Sequence, residues 1–235
     1  MNMTNKSKGI IFFKKKIKDN DLYIKILSSE DTIISGMVYG GNSSKKKLIY
    51  QNGYFIDYSI RKKTESSVPV FTAELSKPFL GQIIDNKYKL NALLSILSII
   101  NVSILEGQHI KGFFNSIEIL INKIIASENW IINYCEWLFD LLRLIGYQID
   151  YKSHINKNYY DIFDQKFVNI KNNNTIEFPH KLFSDNREIS FTNLHLIFNM
   201  FERIYKKNHL ENINYHMPVN FLNFKNIVLD ELKNK

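Results

Sequence analysis

The sequence predicts an α+β protein: a small N-terminal β-barrel of five strands followed by a mainly α-helical C-terminal domain. Three observations predict it. Apolar residues alternate with period two through residues 8–75, and the period becomes helical from Leu90. Between the two regimes, Lys77-Pro78 breaks the strand pattern.

The strands come first. Gly9–Lys16 is followed by an Asp19-Asn20-Asp21 turn, and after it Leu22, Ile24 and Ile26 alternate with Tyr23 and Lys25. Thr32–Tyr39 is the third strand. Tyr54, Ile56, Tyr58 and Ile60 alternate with Phe55, Asp57, Ser59 and Arg61 in the fourth, and Val68–Leu75 is the fifth. Five short strands with polar turns suit the OB-fold barrel, with an open sheet covered on one face as the structural rival. A boundary near Ser76–Lys89 divides the chain into residues 1–80 and 81–235.

In the second part, Leu90, Leu93, Leu94 and Leu97 share a helical face, as do Ile117, Leu120, Ile121 and Ile124. The strongest helix runs from about Asn129 to Ile145, with Ile131, Tyr134, Cys135, Leu138, Leu142 and Ile145 inward and Gly146 as its stop. Residues 147–189 read as an irregular polar insertion. Tyr160–Phe163 and Phe167–Ile170 suit a hairpin there, and Asn172-Asn173-Asn174 a second turn. Helical spacing returns at Leu194, Ile197, Phe198, Phe201 and Tyr205. Beyond Met217-Pro218, Phe221, Phe224 and Val228 begin a short final helix.

Charge separates the two parts. The net charge is +8, and residues 1–80 hold 14 Lys+Arg against 7 Asp+Glu, whereas residues 81–235 hold 17 against 16. A nucleotide-biased genome would enrich Lys and Asn along the whole chain and leave no such asymmetry. A basic first third suits a polyanion, either nucleic acid or an anionic membrane surface. One cysteine, Cys135, excludes an intrachain disulfide and a cysteine-based zinc site. The longest apolar stretch, Leu90–Leu105, is interrupted by Asn91, Ser95, Ser98, Asn101 and Ser103, so it reads as a buried helix rather than a membrane span. With no signal-like N-terminus, a reducing cytoplasm fits.

Three basic clusters lie at strand ends: Lys14, Lys15, Lys16 and Lys18; Lys45, Lys46 and Lys47, in the glycine-led loop Gly40–Lys47; and Arg61, Lys62 and Lys63. Inter-strand loops are where OB folds grip oligonucleotides, and the three clusters are the candidate phosphate contacts, against the plain reading of solvated turns. Tyr23 and Phe55 fall on outward-pointing positions, either to stack on bases or to pack against the helical domain. Trp137 and Arg143, on the less apolar side of the strong helix, are a candidate pocket for an acidic-hydrophobic peptide, against a Trp that simply packs. His154, His180, His195, His209 and His216 have no metal-ligand spacing. Asp19 and Asp21 read as turn caps rather than cation ligands, and Cys135 as a small core residue. No phosphate loop, nucleophile elbow or HExxH is present, so no catalytic set, metal or cofactor is expected.

The order of these features resembles the bacterial recombination mediator RecO family. The resemblance runs from Gly9-Ile10-Ile11 and Asp19-Asn20-Asp21-Leu22 through Gly36, Val38-Tyr39-Gly40-Gly41 and the basic loop. It continues through Thr72-Ala73-Glu74-Leu75 and Leu105-Glu106-Gly107 to Trp137–Asp150, with Leu141-Leu142 and Leu144-Ile145-Gly146-Tyr147. It implies an N-terminal OB domain that binds single- and double-stranded DNA, with strand annealing, contacts to RecR and single-strand-binding protein, and help in loading RecA at gaps. The family's frequent cysteine zinc site has no counterpart, since Lys152-Ser153-His154 occupies that region. Leu138 stands where the family often has Glu. The expected function is therefore non-enzymatic DNA binding in recombinational repair, without a membrane role. Its rivals are a scaffold whose basic surface binds an acidic protein partner and a metal-dependent nuclease, the latter disfavoured by the lack of a carboxylate cluster.

Overall fold

A computed structural model describes residues 6–147, 149–184 and 187–234. The chain forms two compact units, Met1–Glu118 and Ile119–Lys235.

The first unit opens with strands β1 (Ser7–Lys16), β2 (Leu22–Ser28), β3 (Ile33–Val38), β4 (Phe55–Arg61) and β5 (Val70–Lys77). They close into a barrel in the order β1-β2-β3-β5-β4. This is the OB topology, and the open-sheet alternative is set aside. β1 is long enough to pair with β2 along most of its length and with β4 through Ser7–Ile10. A bulge between Ile11 and Phe13 bends β1 from one sheet into the other. Closure comes from the one parallel pairing, Met37 with Val70, where the Met37 amide donates to the Pro69 carbonyl at 2.8 Å. Inside lie Ile11, Leu22, Ile24, Ile26, Val38, Tyr50, Ile56, Tyr58, Phe71 and Ala73. The alternation read in β2 and β4 thus marks the filled interior of a small barrel.

Two helices extend this unit past the change in sequence pattern. α1 (Lys87–Ser103) is capped by the Asn86 side chain, which accepts from the amides of Tyr88 at 3.1 Å and Lys89 at 3.0 Å. The start of α2 (Phe113–Ala126) is held by Asp31, in the β2–β3 turn. Its carboxylate accepts from the amides of Gly112 at 2.6 Å and Phe114 at 2.9 Å. This long-range cap is one reason the first unit runs to Glu118 instead of ending near residue 80. An acceptor carrying negative charge suits the amide-rich end of a helix. Asp31→Ala is expected to cost about 1–2 kcal/mol in urea unfolding. Asp31→Asn should recover part of that, because Asn keeps an acceptor and tolerates the left-handed backbone at φ 61°. An unchanged unfolding midpoint in the alanine variant would show that the cap is dispensable.

In the second unit α3 (Trp130–Leu144) is buried nearly all round, at Ile131, Ile132, Tyr134, Cys135, Trp137, Leu138, Phe139, Leu141 and Leu142. Burial pushes the Cys135 thiol well above its ordinary pKa, so it is an inert core group. α4 (Phe191–Tyr205) and α5 (Val219–Lys233) complete the helical core. Tyr134 meets Phe224 at 4.6 Å between ring centroids, and Phe201 meets Phe221 at 5.3 Å. The final helix is 15 residues rather than the short one expected, with Phe221, Phe224, Val228 and Leu229 buried.

Residues 149–184 are more ordered than their polarity suggests. The expected hairpin exists as β6 (Tyr159–Asp161) and β7 (Lys166–Val168), shorter than read from the sequence. A third strand, β8 (Thr175–Glu177), pairs with the other side of β6. Rings hold the insertion together: Tyr151 stacks on Phe178 at 5.3 Å, Phe167 meets Phe178 edge-on at 5.3 Å, and His154 stacks on Phe167 at 5.4 Å. Both insertion histidines also donate to backbone carbonyls, His154 to Asp150 and His180 to Lys157, each at 2.8 Å. Among the described residues, no three His, Cys, Asp or Glu side chains converge as metal ligands would.

The β6–β7 turn hangs on one carboxylate. Asp161 accepts from the amides of Phe163 at 2.9 Å and Asp164 at 3.0 Å and from the Asn172 side chain at 3.3 Å. The Asp164 amide above all, with the Asn172 amide group and the Phe163 amide, holds this carboxyl below the ordinary Asp range. A depressed native pKa stabilises above the unfolded-state value, and the contribution is lost as pH falls through the native value. Asp161→Ala is therefore expected to melt below wild type at neutral pH. The gap should shrink once pH drops past the ordinary Asp value of about 3.9. A gap that stays constant down to acid pH would mean the carboxylate charge is not what braces the turn.

Candidate nucleic-acid interface

The barrel's strand register decides which basic residues share a surface. Directly paired residues point to the same face of a sheet. Lys15 pairs with Tyr23, Tyr23 with Met37, Met37 with Val70, and Val70 with Arg61. One row thus crosses all five strands, and every member is exposed or half-buried. Next to it, Phe13 pairs with Lys25 and Lys25 with Ser35. The Lys25 ammonium lies 5.8 Å from the Phe13 ring centroid. The outer face of β1–β2–β3 therefore alternates cations with aromatic rings, the pairing of phosphate contacts with stacking platforms that suits a single strand. Glu106 borders this face, accepting from the buried Ser35 hydroxyl at 2.5 Å.

Two of the basic clusters meet at the edge of this face. Lys16, at the end of β1, and Lys18, in the β1–β2 turn, are both exposed. The start of the β3–β4 loop is tied to that turn, because the Asn42 amide donates to the Asn20 carbonyl at 2.7 Å and the Gly40 amide to the Asp21 carboxylate at 2.8 Å. Asp21 is thus a structural cap, as its turn reading has it. Further along the loop Lys45, Lys46 and Lys47 are exposed. The loop itself is a braced turn rather than the flexible one its glycines suggest. The Lys47 amide donates to the Ser43 carbonyl at 2.9 Å, and the Gln51 side chain to the Lys47 carbonyl at 2.5 Å. The loop's anchor is Tyr50, 2% exposed, whose hydroxyl accepts from the Ala73 amide at 3.1 Å. The third cluster begins at the end of the register row. After Arg61, Lys62 and Lys63 open a β4–β5 loop closed by Ser67, whose hydroxyl accepts from the amides of Lys63 at 2.9 Å and Thr64 at 3.0 Å.

Lys14 departs from its cluster. It pairs with Ile24, a buried barrel position, and its ammonium donates to Gln51. Burial lowers its pKa, and the group braces the loop instead of facing solvent. Phe55 takes the packing alternative rather than the stacking one. It is 5% exposed, with Phe79 at 5.6 Å and Phe114 at 5.9 Å between centroids, so no base reaches it. It keeps the outward parity of β4, since Ile56 and Tyr58 fill the barrel interior and Phe55 does not, and it is covered from outside by Phe79 and Phe114. Phe13 is the residue the sequence reading missed. Its signal was present: it alternates with the buried Phe12 and precedes a run of three lysines.

Trp137 and Arg143 do not form a pocket. Trp137 is 3% exposed beside Tyr134, at 6.0 Å between centroids. Arg143 is exposed and pairs with Asp140 at 3.6 Å. The periodicity suggested one apolar face, but a helix buried nearly all round, except at Asp140 and Arg143, hides Trp137 as well.

Sequence comparisons add to this geometry. Residues 1–79 match the family model described as recombination protein O N terminal. DNA repair protein RecO of Rickettsia canadensis (strain McKiel) is 31% identical over 150 residues, covering 63% of this chain and 61% of that protein. That of Rickettsia bellii (strain OSU 85-389) is 30% identical over 151 residues, with 63% and 61% covered. That of Rickettsia peacockii (strain Rustic) is 33% identical over 150 residues, with 63% and 62% covered. The matched stretch thus spans about three-fifths of these relatives' length. By sequence over 63% of its length the chain is similar to DNA repair protein RecO, and its first 79 residues match the recombination protein O N-terminal family model.

Proposed function

We propose that this protein is a non-enzymatic, DNA-binding recombination mediator of the cytoplasm. It binds single- and double-stranded DNA, anneals complementary strands, and assists RecA loading at single-stranded gaps together with RecR and single-strand-binding protein. The observation that carries the reading is the register row from Lys15 through Tyr23 to Arg61, with the loop lysines at its edge. The work of such a surface is done by binding energy. Lysines and arginines displace counterions from the phosphates, and two neutralised strands approach each other at lower electrostatic cost. Half-buried rings on the same face hold bases unstacked from their neighbours and available for pairing.

The decisive experiment mixes complementary oligonucleotides carrying a donor and an acceptor fluorophore with the purified chain. Faster annealing without strand cleavage, in the presence or absence of Mg²⁺, is the expected result. Cleavage that needs Mg²⁺ would replace the reading with a nuclease. No binding at all would leave a scaffold for an acidic protein partner.

A further inference from the structure

The helical unit is close to electrically neutral, with 14 Lys+Arg against 13 Asp+Glu in residues 119–235. Against that background Arg203, Lys206 and Lys207 gather on one cavity of about 380 Å³, which Phe163, Asn174 and Glu211 also line. We propose that this cavity is a second single-stranded nucleic-acid contact, separate from the barrel, in which Phe163 stacks on a base and the three cations hold the adjoining phosphates.

Phe163 is the unusual residue. Of the 17 phenylalanines it alone is exposed, at 70%, while the rest are buried or half-buried. The ring is displayed to water from a structured turn, beside the cation-lined cavity. The turn is structured because Asp161 accepts from the Phe163 amide at 2.9 Å. The Lys207 ammonium lies over the ring, 4.6 Å from its centroid, a cation–π contact that a stacking base would displace toward its own phosphate.

The backbone that carries the cations is braced as well. After α4 the chain makes a π-helical turn, Lys206–Leu210, and such turns recur at functional sites. The Schellman-type end of α3 braces it from the other side: Gly146 adopts φ 100°, the Tyr147 amide donates to the Leu142 carbonyl at 2.7 Å, and the Tyr147 hydroxyl donates to the Asn208 carbonyl at 2.5 Å. Arg203, one helical turn before Lys207, brings a planar fork suited to phosphate.

The lining chooses between polyanions. The Asn174 side chain offers a donor and an acceptor, as a base edge requires, and the Glu211 carboxylate can accept from an exocyclic amine. The same carboxylate repels the second acidic residue of an acidic peptide, which disfavours a protein tail as the occupant.

The inference goes beyond the barrel's proposed role and fails independently of it. The test uses the full chain and a thymidine oligonucleotide bearing 5-iodouracil, irradiated and mapped by mass spectrometry. An adduct at Phe163 is expected in wild type, and also when Lys45, Lys46 and Lys47 are replaced by Ala once the oligonucleotide is raised to the same occupancy. Arg203→Gln with Lys206→Gln, both at exposed positions, should cut its yield roughly tenfold, with an unchanged circular dichroism spectrum. Phe163→Leu should abolish it. Adducts confined to residues 1–118 would overturn the inference and leave the barrel reading standing. An adduct at Phe163 with none in the barrel would support the inference and sink the barrel reading. Displacement of the Phe163 adduct by an equimolar acidic peptide would overturn it in favour of a protein partner.

Discussion

Replacing Lys45, Lys46 and Lys47 together by Ala is expected to weaken binding to single strands of any sequence by roughly a hundredfold at 0.1 M salt. The reasoning is electrostatic. Each neutralised phosphate on a single strand contributes about −0.7 to the slope of log K against log[salt]. Three lost contacts therefore flatten the slope by about 2 units, and at 0.1 M salt that corresponds to about two decades of affinity. The loss should be uniform across sequences, because phosphate contacts carry no base information. Stability should hardly change. The three ammonium groups are exposed, and the loop is anchored by Tyr50 and by the Lys14–Gln51 contact, neither of which the variant touches. Titrations of labelled oligonucleotides at several salt concentrations give both numbers. An unchanged affinity and slope would reduce the loop to a solvated turn and leave the DNA path to Lys15, Lys16, Lys18 and Arg61–Lys63.

How legible this surface was in the sequence depends on what each residue's position rests on. Lys16, Lys18, Lys45–Lys47 and Arg61–Lys63 were readable, because a run of cations at a strand end has nowhere to go but water. Tyr23 was readable from the strict alternation of β2. The cover over Phe55 was not, because Phe55 keeps the outward parity of β4 and is buried by Phe79 and Phe114, which lie far along the chain. Lys14 failed because of a bulge, which leaves no mark in a one-dimensional pattern. Beyond the β1 bulge it takes the inward parity, opposite Ile24. The closure of the barrel was equally hidden. It rests on Met37 and Val70, which are 33 positions apart in the chain and belong to strands that read alike. Periodicity finds strands but not the order in which they pair.

The second unit shows the same limit at the level of elements. Its long helices announced themselves through spacing at Leu138 and Leu142 or Leu194, Ile197 and Phe201. Three-residue strands such as β8 are too short to show a period. The aromatic packing that organises the insertion joins Phe139, Tyr151, Phe167 and Phe178, which no local pattern links. Those rings occupy the stretch where a metal-stapled module would place cysteines, and they supply a hydrophobic centre of their own. Pairing two signals, an aromatic-rich insertion and the absence of cysteine, would have been the way to foresee it.

Closure of the barrel is also where a single methyl group should do most damage. Gly36→Ala is expected to destabilise the first unit by about 3 kcal/mol, the upper end of ordinary overpacking. A Cβ at Gly36 would overlap the Pro69 carbonyl oxygen and approach the Phe71 ring to 2.8 Å. The obstacle is backbone, so it cannot swing aside as a side chain would. Relief requires β3 and β5 to separate, and the only parallel pairing in the barrel, with the 2.8 Å hydrogen bond from Met37 to Pro69, lies at that point. A cost of this size is a large share of the roughly 5–15 kcal/mol that holds a domain folded. Gly81→Ala is the control, since nothing lies within 4 Å of the added carbon there and its φ is not left-handed. It should leave the urea midpoint almost unmoved. The substitution at Gly36 also tests the interface, because the row from Tyr23 to Arg61 passes through Met37 and Val70. Under conditions where the variant remains folded, its DNA affinity should fall even though every lysine is present. A variant as stable as wild type would show that β3 and β5 do not approach as closely as this packing requires. A stable variant with normal DNA binding would also remove the closed row from the account of how the barrel grips a strand.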